Sequence, residues 1–359
     1  MEVGLTLNWQ NLGGRQPDDE LYHEELRLAE LAEPLGFNSI WTIEHHFTDY
    51  AMCPDVLQFL TYMAGRTKTV KLGSMVVVLP WNDPVRVAEQ VSVLDIVSGG
   101  RAVLGIGRGL GRVEFEGFRV PMDESRERFV EEATILLNAL ETGVAQLDGK
   151  HYRQPARAIR PKPPASFHGR TYAAAVSPES IEIMAQLGVG LMVVPQKPYE
   201  MVAQDLVNYR DTFERVNGCA PPAPCAAVYV FCDEDADRAR ELGPKYIGNY
   251  YQSTMSHYEL AGSHFTDTKG YEYYSSTSKA INRVGSDAAA DAFVNLHVYG
   301  TPQECIDKIR WIQDIVGNET LMTVFRFGGI GYEEALRNIQ LFARSVKPAL
   351  QALPVMTHV

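Results

Sequence analysis

Short β-branched runs alternate with longer stretches of helical periodicity from one end of the chain to the other. Residues 3–8 predict a first strand. Residues 18–35, with Leu21, Leu26, Leu28, Leu31 and Leu35 at apolar positions, predict a helix that stops before Gly36. The alternation continues with a strand at 37–43, a helix at 54–65, a third strand at 70–79 and a helix at 84–97 that ends at Ser98-Gly99-Gly100. Residues 101–107 predict the fourth strand and 123–140 an amphipathic helix. The stretch 154–168, with Pro155, Pro161, Pro163 and Pro164, predicts a loop excursion. A fifth strand at 172–176 leads into a helix at 178–187; strands at 189–194 and 226–231 flank a helix at 199–216; a last strand at 321–327 precedes a helix at 332–346. Eight βα units predict an α/β fold of the (β/α)8 TIM-barrel type, one domain over 1–359. Between the seventh and eighth strands lies a long insertion, residues 245–299, rich in Tyr, Ser and His and poor in clean periodicity, which predicts a lid or binding loop.

Composition narrows the partners. At 359 residues, 45% hydrophobic and 22% charged, the chain is an ordinary globular one with enough apolar mass for a large core. A formal charge of -12, with no Lys/Arg stripe set against 45 acidic residues, argues against a nucleic-acid partner. The longest apolar stretches, such as 75–79, fall far short of the ~20 residues of a bilayer span, and the chain opens directly into a strand pattern without a signal-peptide core. A soluble, cytoplasmic protein is expected, with no membrane partner. Cys53, Cys219, Cys225, Cys232 and Cys305 form no CxxC pair, which predicts reduced, buried thiols rather than a disulfide framework or a zinc site.

In a barrel of this kind the functional face lies at the C-terminal ends of the strands, and three clusters fall there. The first is "IEHHF", ending strand two. Neighbours on an extended strand point opposite ways, so His45 and His46 do not readily share one ion, and no HExxH or HxH spacing replaces them; no metal is expected. A single imidazole at the barrel mouth suits proton transfer near neutrality. A structurally satisfied strand-end histidine is the alternative, and this stretch by itself leaves both open. The second cluster is "LGIGRGLGR", residues 104–112, whose glycines allow close backbone approach and whose Arg108 offers a planar fork for phosphate oxygens. Gly105, Gly107 and Gly109 lack the dinucleotide spacing, and a plain turn is the alternative. The third is "AAVSPES", residues 174–180. Ser177 is a good N-cap, Pro178 suits the first helical position, and the free amides there, with the Ser180 hydroxyl, favour an anion; ordinary capping is the alternative.

Together, "WTIEHHFTDYA", "LGSMVVVLPWNDPVRVAEQVSVLDIVSGGRAVLGIGRGL" (72–110) and "AVSPES", in this order and at these separations, resemble the bacterial luciferase-like flavin-dependent monooxygenase family. The resemblance spans most of the barrel and implies a (β/α)8 fold holding reduced FMN at its C-terminal face. It implies that His45 is the catalytic histidine and that Arg108 binds the flavin phosphate. The amides of Val176 and Ser177 and the hydroxyl of Ser180 would complete the phosphate site. Leu110 would pack near the isoalloxazine, and a non-prolyl cis peptide would fall at Met75-Val76, supporting the ring. Where the luciferase α subunit has a Cys before its phosphate Arg, an aromatic after the Leu and a His after "LP", this chain has Gly107, Gly111 and Asp83. Light emission is therefore not carried over.

The activity so implied is a two-component, FMNH2-dependent monooxygenase, fed by a separate flavin reductase and inserting one oxygen atom from O2 into a small apolar organic substrate. His45 would be its general acid/base, with Glu44 and His46 orienting neighbours or serving structure. A homo-oligomer is implied as well. The alternatives are a deazaflavin-dependent hydride-transfer oxidoreductase, whose phosphate-binding elements are shared, and a non-catalytic flavin-binding protein. In the insertion, Tyr258, Phe265, Tyr271, Tyr273 and Tyr274 would contact an apolar substrate or a partner subunit.

Overall fold

Along Glu2–Leu7 (β1), Val3, Leu5 and Leu7 turn outward into the apolar layer beneath the helices, while Gly4 and Thr6 turn into the sheet's interior. The same two-way division recurs in Ser39–Thr42 (β2), Lys71–Ser74 (β3), Ala102–Gly107 (β4), Thr171–Ala174 (β5), Gly190–Val193 (β6), Cys225–Cys232 (β7) and Thr320–Val324 (β8). The computed structural model describes residues 1–175 and 177–353. Neighbouring strands pair in parallel from β1 round to β8, and the ring closes where β8 pairs β1, Glu2 opposite Thr320. The β6–β7 seam is a short link, held by Cys225 opposite Met192 and Ala226 opposite Val193, as is β3–β4, held by Leu72 opposite Ala102 and Gly73 opposite Val103. The expected (β/α)8 barrel is therefore the fold.

The interior is a packed core, and glycine sets its shape. Trp41 points inward from β2 among Met192, Cys225, Ala227 and Met322, its indole N–H donating to Ser39 Oγ at 2.8 Å. A Cβ on Gly73 would lie 2.3 Å from the Trp41 ring, and one on Gly4 2.6 Å from its Nε1. Both positions must be bare for the indole to lie across the barrel.

Two expectations are corrected. Residues 154–168 are not all loop: Arg153–Ala158 pairs antiparallel with Val144–Asp148 as a two-stranded ribbon. Such a ribbon has open edges and a bulge after Ala145, where Pro155 costs no ladder bond. The insertion is not a loop either. It is built from Ala236–His257, His264–Asp267, Glu272–Val284 and Ser286–Val294, closed by the short strand Val298–Gly300 on the side of β7. The buried face of Ala236–His257 runs Gly243, Ile247, Tyr250, Tyr251 and His257, a helical spacing carried by aromatic rather than aliphatic residues and interrupted by Pro244. Among the described residues three further α-helices lie outside the sequence reading, Arg112–Phe118, Pro302–Val316 and Lys347–Gln351. Among the described residues no helix is long and apolar enough to cross a membrane. All five cysteines are free, four of them buried as expected and Cys219 exposed.

Candidate active site

The cluster at the end of β2 divides as extended backbone requires. Glu44 turns under the segment after β3, where its carboxylate accepts from Trp81 Nε1 at 2.8 Å, Asn82 Nδ2 at 3.1 Å and the Val78 amide at 3.1 Å. His46 goes the same way, against Phe118 and within 3.4 Å of Glu44. His45 faces the opposite way, into a cavity at the C-terminal ends of the strands. Glu44 and His46 thus anchor structure, leaving one imidazole at the mouth.

His45 is held on both sides. Its Nδ1 lies 2.9 Å from Glu114 Oε1, and its Nε2 lies 3.1 Å from the Tyr258 hydroxyl. The same Glu114 oxygen accepts the His46 amide at 2.9 Å. The His257 Nε2 stands 3.5 Å from the other Glu114 oxygen, and its Nδ1 2.9 Å from Thr48 Oγ1. Burial by itself would raise the Glu114 carboxyl, but the His45 and His257 imidazoles outweigh it and hold the group well below the usual carboxylate range. Burial lowers the His257 pKa. His45, Glu114 and His257 are close enough to ligate one ion. One Glu114 oxygen, however, already takes two N–H donors, the pattern of an acceptor that fixes a histidine tautomer.

At the other end of the cavity Arg108 donates from Nη1 to the Gly270 carbonyl at 2.7 Å and lies 4.1 Å over the Tyr271 ring. Arg126 reaches the same carbonyl from Nη2 at 2.9 Å, while its buried Nε has no hydrogen-bond partner. Ser177 caps Pro178–Leu187, accepting the Ser180 amide at 3.3 Å, with its Oγ 2.9 Å from Ser180 Oγ. Two guanidinium groups and a helix N-terminus facing one cavity are a ready anion cradle, and the orphaned Arg126 N–H fits an acceptor that the protein does not provide.

The described residues that the resemblance assigns to catalysis and cofactor, namely His45, Met75, Val76, Arg108, Leu110, Ser177 and Ser180, line this one cavity, with ≈ 1440 Å³ of empty space counting its open mouth; of the insertion's aromatics Tyr258 and Tyr274 line it, and Phe265, Tyr271 and Tyr273 do not. Val176 lies outside the described residues. The Met75-Val76 peptide is cis, as expected. Gly107 is needed beside it, since a Cβ there would lie 2.4 Å from Val76 Cγ2. Sequence reasoning missed Glu114, Arg126 and His257, and gave Tyr258 no proton-handling part. No local motif marks them; the polar sequence around Glu114 and Arg126 reads as a solvated helix face.

The sequence profile described as "Luciferase-like monooxygenase" matches residues 1–319. The chain belongs to the luciferase-like monooxygenase family. This makes it a flavin-dependent oxidoreductase. Within the family it is 27% identical over 348 residues to an alkanal monooxygenase alpha chain of Photorhabdus luminescens, covering 92% of this chain and 93% of that one. A crystal structure of a monooxygenase from Streptomyces bottropensis is similar at a TM-score of 0.81 and 28% identity, covering 98% and 100% of the two chains. The oxygenating constituent of 3,6-diketocamphane monooxygenase from Pseudomonas putida, solved with FMN, shares the fold at a TM-score of 0.72 and 16% identity, covering 97% and 98%.

Proposed function

We propose that this luciferase-like protein is a cytoplasmic, two-component monooxygenase that takes FMNH2 from a separate flavin reductase and inserts one oxygen atom from O2 into a small apolar organic substrate. The observation that carries the reading is the sharing of one cavity by an anion cradle, Arg108 and Arg126 with Ser177 and Ser180, and an acid/base pair, His45 with Glu114.

Reduced FMN, when bound, supplies the electrons that activate O2. The residues divide the remaining tasks. Arg108, Arg126, the Ser177 amide and the Ser180 hydroxyl would hold the phosphate. Leu110 and the Met75-Val76 segment would support the ring. Ile43, Tyr50, Tyr229, Tyr250 and Phe293 form an aromatic and apolar wall that receives the substrate and excludes water. Glu114 keeps the His45 proton on Nδ1, so that Nε2 is the atom that gains or releases a proton on the cavity side.

The test is anaerobic titration of the apoprotein with reduced FMN, riboflavin and a deazaflavin, followed by admission of O2. The expected result is tight binding of reduced FMN, weak binding of riboflavin, and slow release of hydrogen peroxide when substrate is absent. Binding of the deazaflavin alone would make the protein a hydride-transfer enzyme instead. Immediate peroxide release at the rate of free flavin would reduce it to a flavin carrier.

A further inference from the structure

Neither ring nitrogen of His45 is free. Nδ1 lies on Glu114 and Nε2 on the Tyr258 hydroxyl, at 2.9 Å and 3.1 Å. Because the ionised carboxylate accepts the hydrogen bond of Nδ1–H, Nε2 of the neutral imidazole carries the lone pair and the phenol is the donor of the second bond. His45 and Tyr258 both line the cavity, so a reacting oxygen there can be met by the phenol that occupies Nε2.

Tyr258 has the properties such a position requires. It sits at the C-cap of Ala236–His257, so its place is set by a helix of 22 residues. The preceding His257 braces Glu114 from the far side. Burial raises the phenol's pKa well above its ordinary value, which keeps it a proton donor at every working pH. Tyr50 packs edge-on against it at 5.5 Å between ring centres, and is itself tied to Tyr250 and, at 3.4 Å, to Thr254. The titratable groups around the phenol are His45 and Tyr50 from the segment after β2, Glu114 from Arg112–Phe118, Tyr229 from β7, His257 and Tyr250 from its own helix, and Tyr274 from Glu272–Val284.

We propose that Tyr258 is a catalytic residue, the relay through which His45 exchanges its proton with the reacting oxygen. In the acid direction the Tyr258 O–H proton passes to an anionic oxygen in the cavity as the imidazolium Nε2–H proton passes to the phenol oxygen. One O–H bond forms on the acceptor, one N–H bond breaks, and Tyr258 ends as it began. In the base direction both transfers reverse, leaving an imidazolium paired with the Glu114 carboxylate. No electrons move between these groups. This rests on the flavin reading of the cavity given above.

The experiment is Tyr258→Phe in the full chain, with difluorotyrosine at position 258 as a second variant that keeps the hydroxyl and lowers its pKa. Histidine 15N NMR of the apoproteins reports the Nε2 bond directly. The expected result is loss of that bond in Tyr258→Phe alone. Stopped-flow with reduced FMN and O2 should show unchanged flavin affinity, a change of about 100-fold or more in the rate of peroxide release, and loss of its solvent isotope effect. The difluorotyrosine protein should shift the pH profile toward acid, which a purely structural phenol would not do. Peroxide release with unchanged rate and pH profile in both variants would overturn the proposal. If the parent binds no reduced FMN, the flavin reading fails on its own, and an unchanged His45 Nε2 resonance in Tyr258→Phe would then overturn the relay.

Discussion

Arg126→Ala gives the sharpest test of the anion cradle, because its effects on binding and on stability are expected to differ. The guanidinium sits in the first turn of Ser125–Thr142, where a positive charge opposes the helix dipole. It buries an Nε with no partner, and its Nη2 donates to the Gly270 carbonyl at 2.9 Å. Nothing in that arrangement recommends arginine for stability. Replacing it removes a buried unsatisfied donor, a defect worth roughly 1–3 kcal/mol, against the loss of one hydrogen bond from a charged group worth about 1.5–3 kcal/mol. Folding stability should therefore stay within about 1 kcal/mol of the parent. A phosphate would satisfy the idle donor and gain a charge-assisted bond of the same 1.5–3 kcal/mol class, so losing Arg126 should weaken reduced FMN by roughly 10- to 100-fold. Riboflavin, which has the same ring and no phosphate, should bind both proteins equally. Anaerobic fluorescence titration of both flavins, beside a urea melt, makes the comparison. Equal losses for FMN and riboflavin, or a large drop in stability with FMN affinity intact, would refute the assignment of Arg126 to the phosphate.

Three further outcomes follow from particular contacts. His45→Ala should keep its affinity for reduced FMN and lose oxygenated product in an assay coupled to a flavin reductase; unchanged turnover would remove His45 from the mechanism. Gly107→Ala, whose new methyl would sit 2.4 Å from Val76 Cγ2, should cost about 1–3 kcal/mol of stability by urea titration. Gly65→Ala, in Val56–Arg66 with nothing within 4 Å, should be neutral or stabilising; equal effects would discredit the packing argument. Burial raises the Glu132 carboxyl from 4.5 to about 8 and that of Glu25 from 4.5 to about 7. The folded state then holds protons on these two carboxyls that the unfolded state has lost, so their contribution to stability falls as pH rises through the window from about 4.5 to about 8. Glu132→Gln should gain stability relative to the parent as pH rises from about 4.5 to about 8, and a difference in urea midpoint that stays constant across the window would contradict it.

The barrel was legible in the sequence because its strands are short β-branched runs and its helices carry aliphatic stripes with ordinary caps. Pro178–Leu187, with Ser177 before it and Gly188 after it, shows the clarity such punctuation gives. The cavity's phosphate end was legible for a related reason. Arg108 and Ser177 lie within a few residues of strand ends, so local chain geometry alone carries them to the mouth. Glu114, Arg126, His257 and Tyr258 obey no such local rule. Glu114 stands 69 positions from His45 and Tyr258 stands 213 positions away. Only the closed barrel with its insertion folded over it brings them together. The aromatic stripe of Ala236–His257 hid that helix too, since tyrosines spaced like core residues resemble a binding loop when read one at a time.

The division between local and distant residues matches a division of chemistry. The groups placed to hold an anion come mostly from strand ends and helix starts of the barrel itself, which any chain of this topology must position similarly. The groups around His45 Nε2 come from the insertion, and so does Gly270, the carbonyl that Arg108 and Arg126 share. An anion that engages Arg108 Nη1 or Arg126 Nη2, besides the idle Arg126 Nε, competes with the Gly270 carbonyl for them. A ligand filling the cradle therefore acts on the same segment that brings Tyr258 to His45, and the acid/base array is assembled by contacts that the phosphate end can loosen. Substitutions at Arg108 should accordingly disturb the His45 resonances as well as flavin affinity, which the histidine NMR spectra of an Arg108→Ala protein would reveal. Spectra identical to the parent's would mean that the two ends of the cavity are mechanically independent.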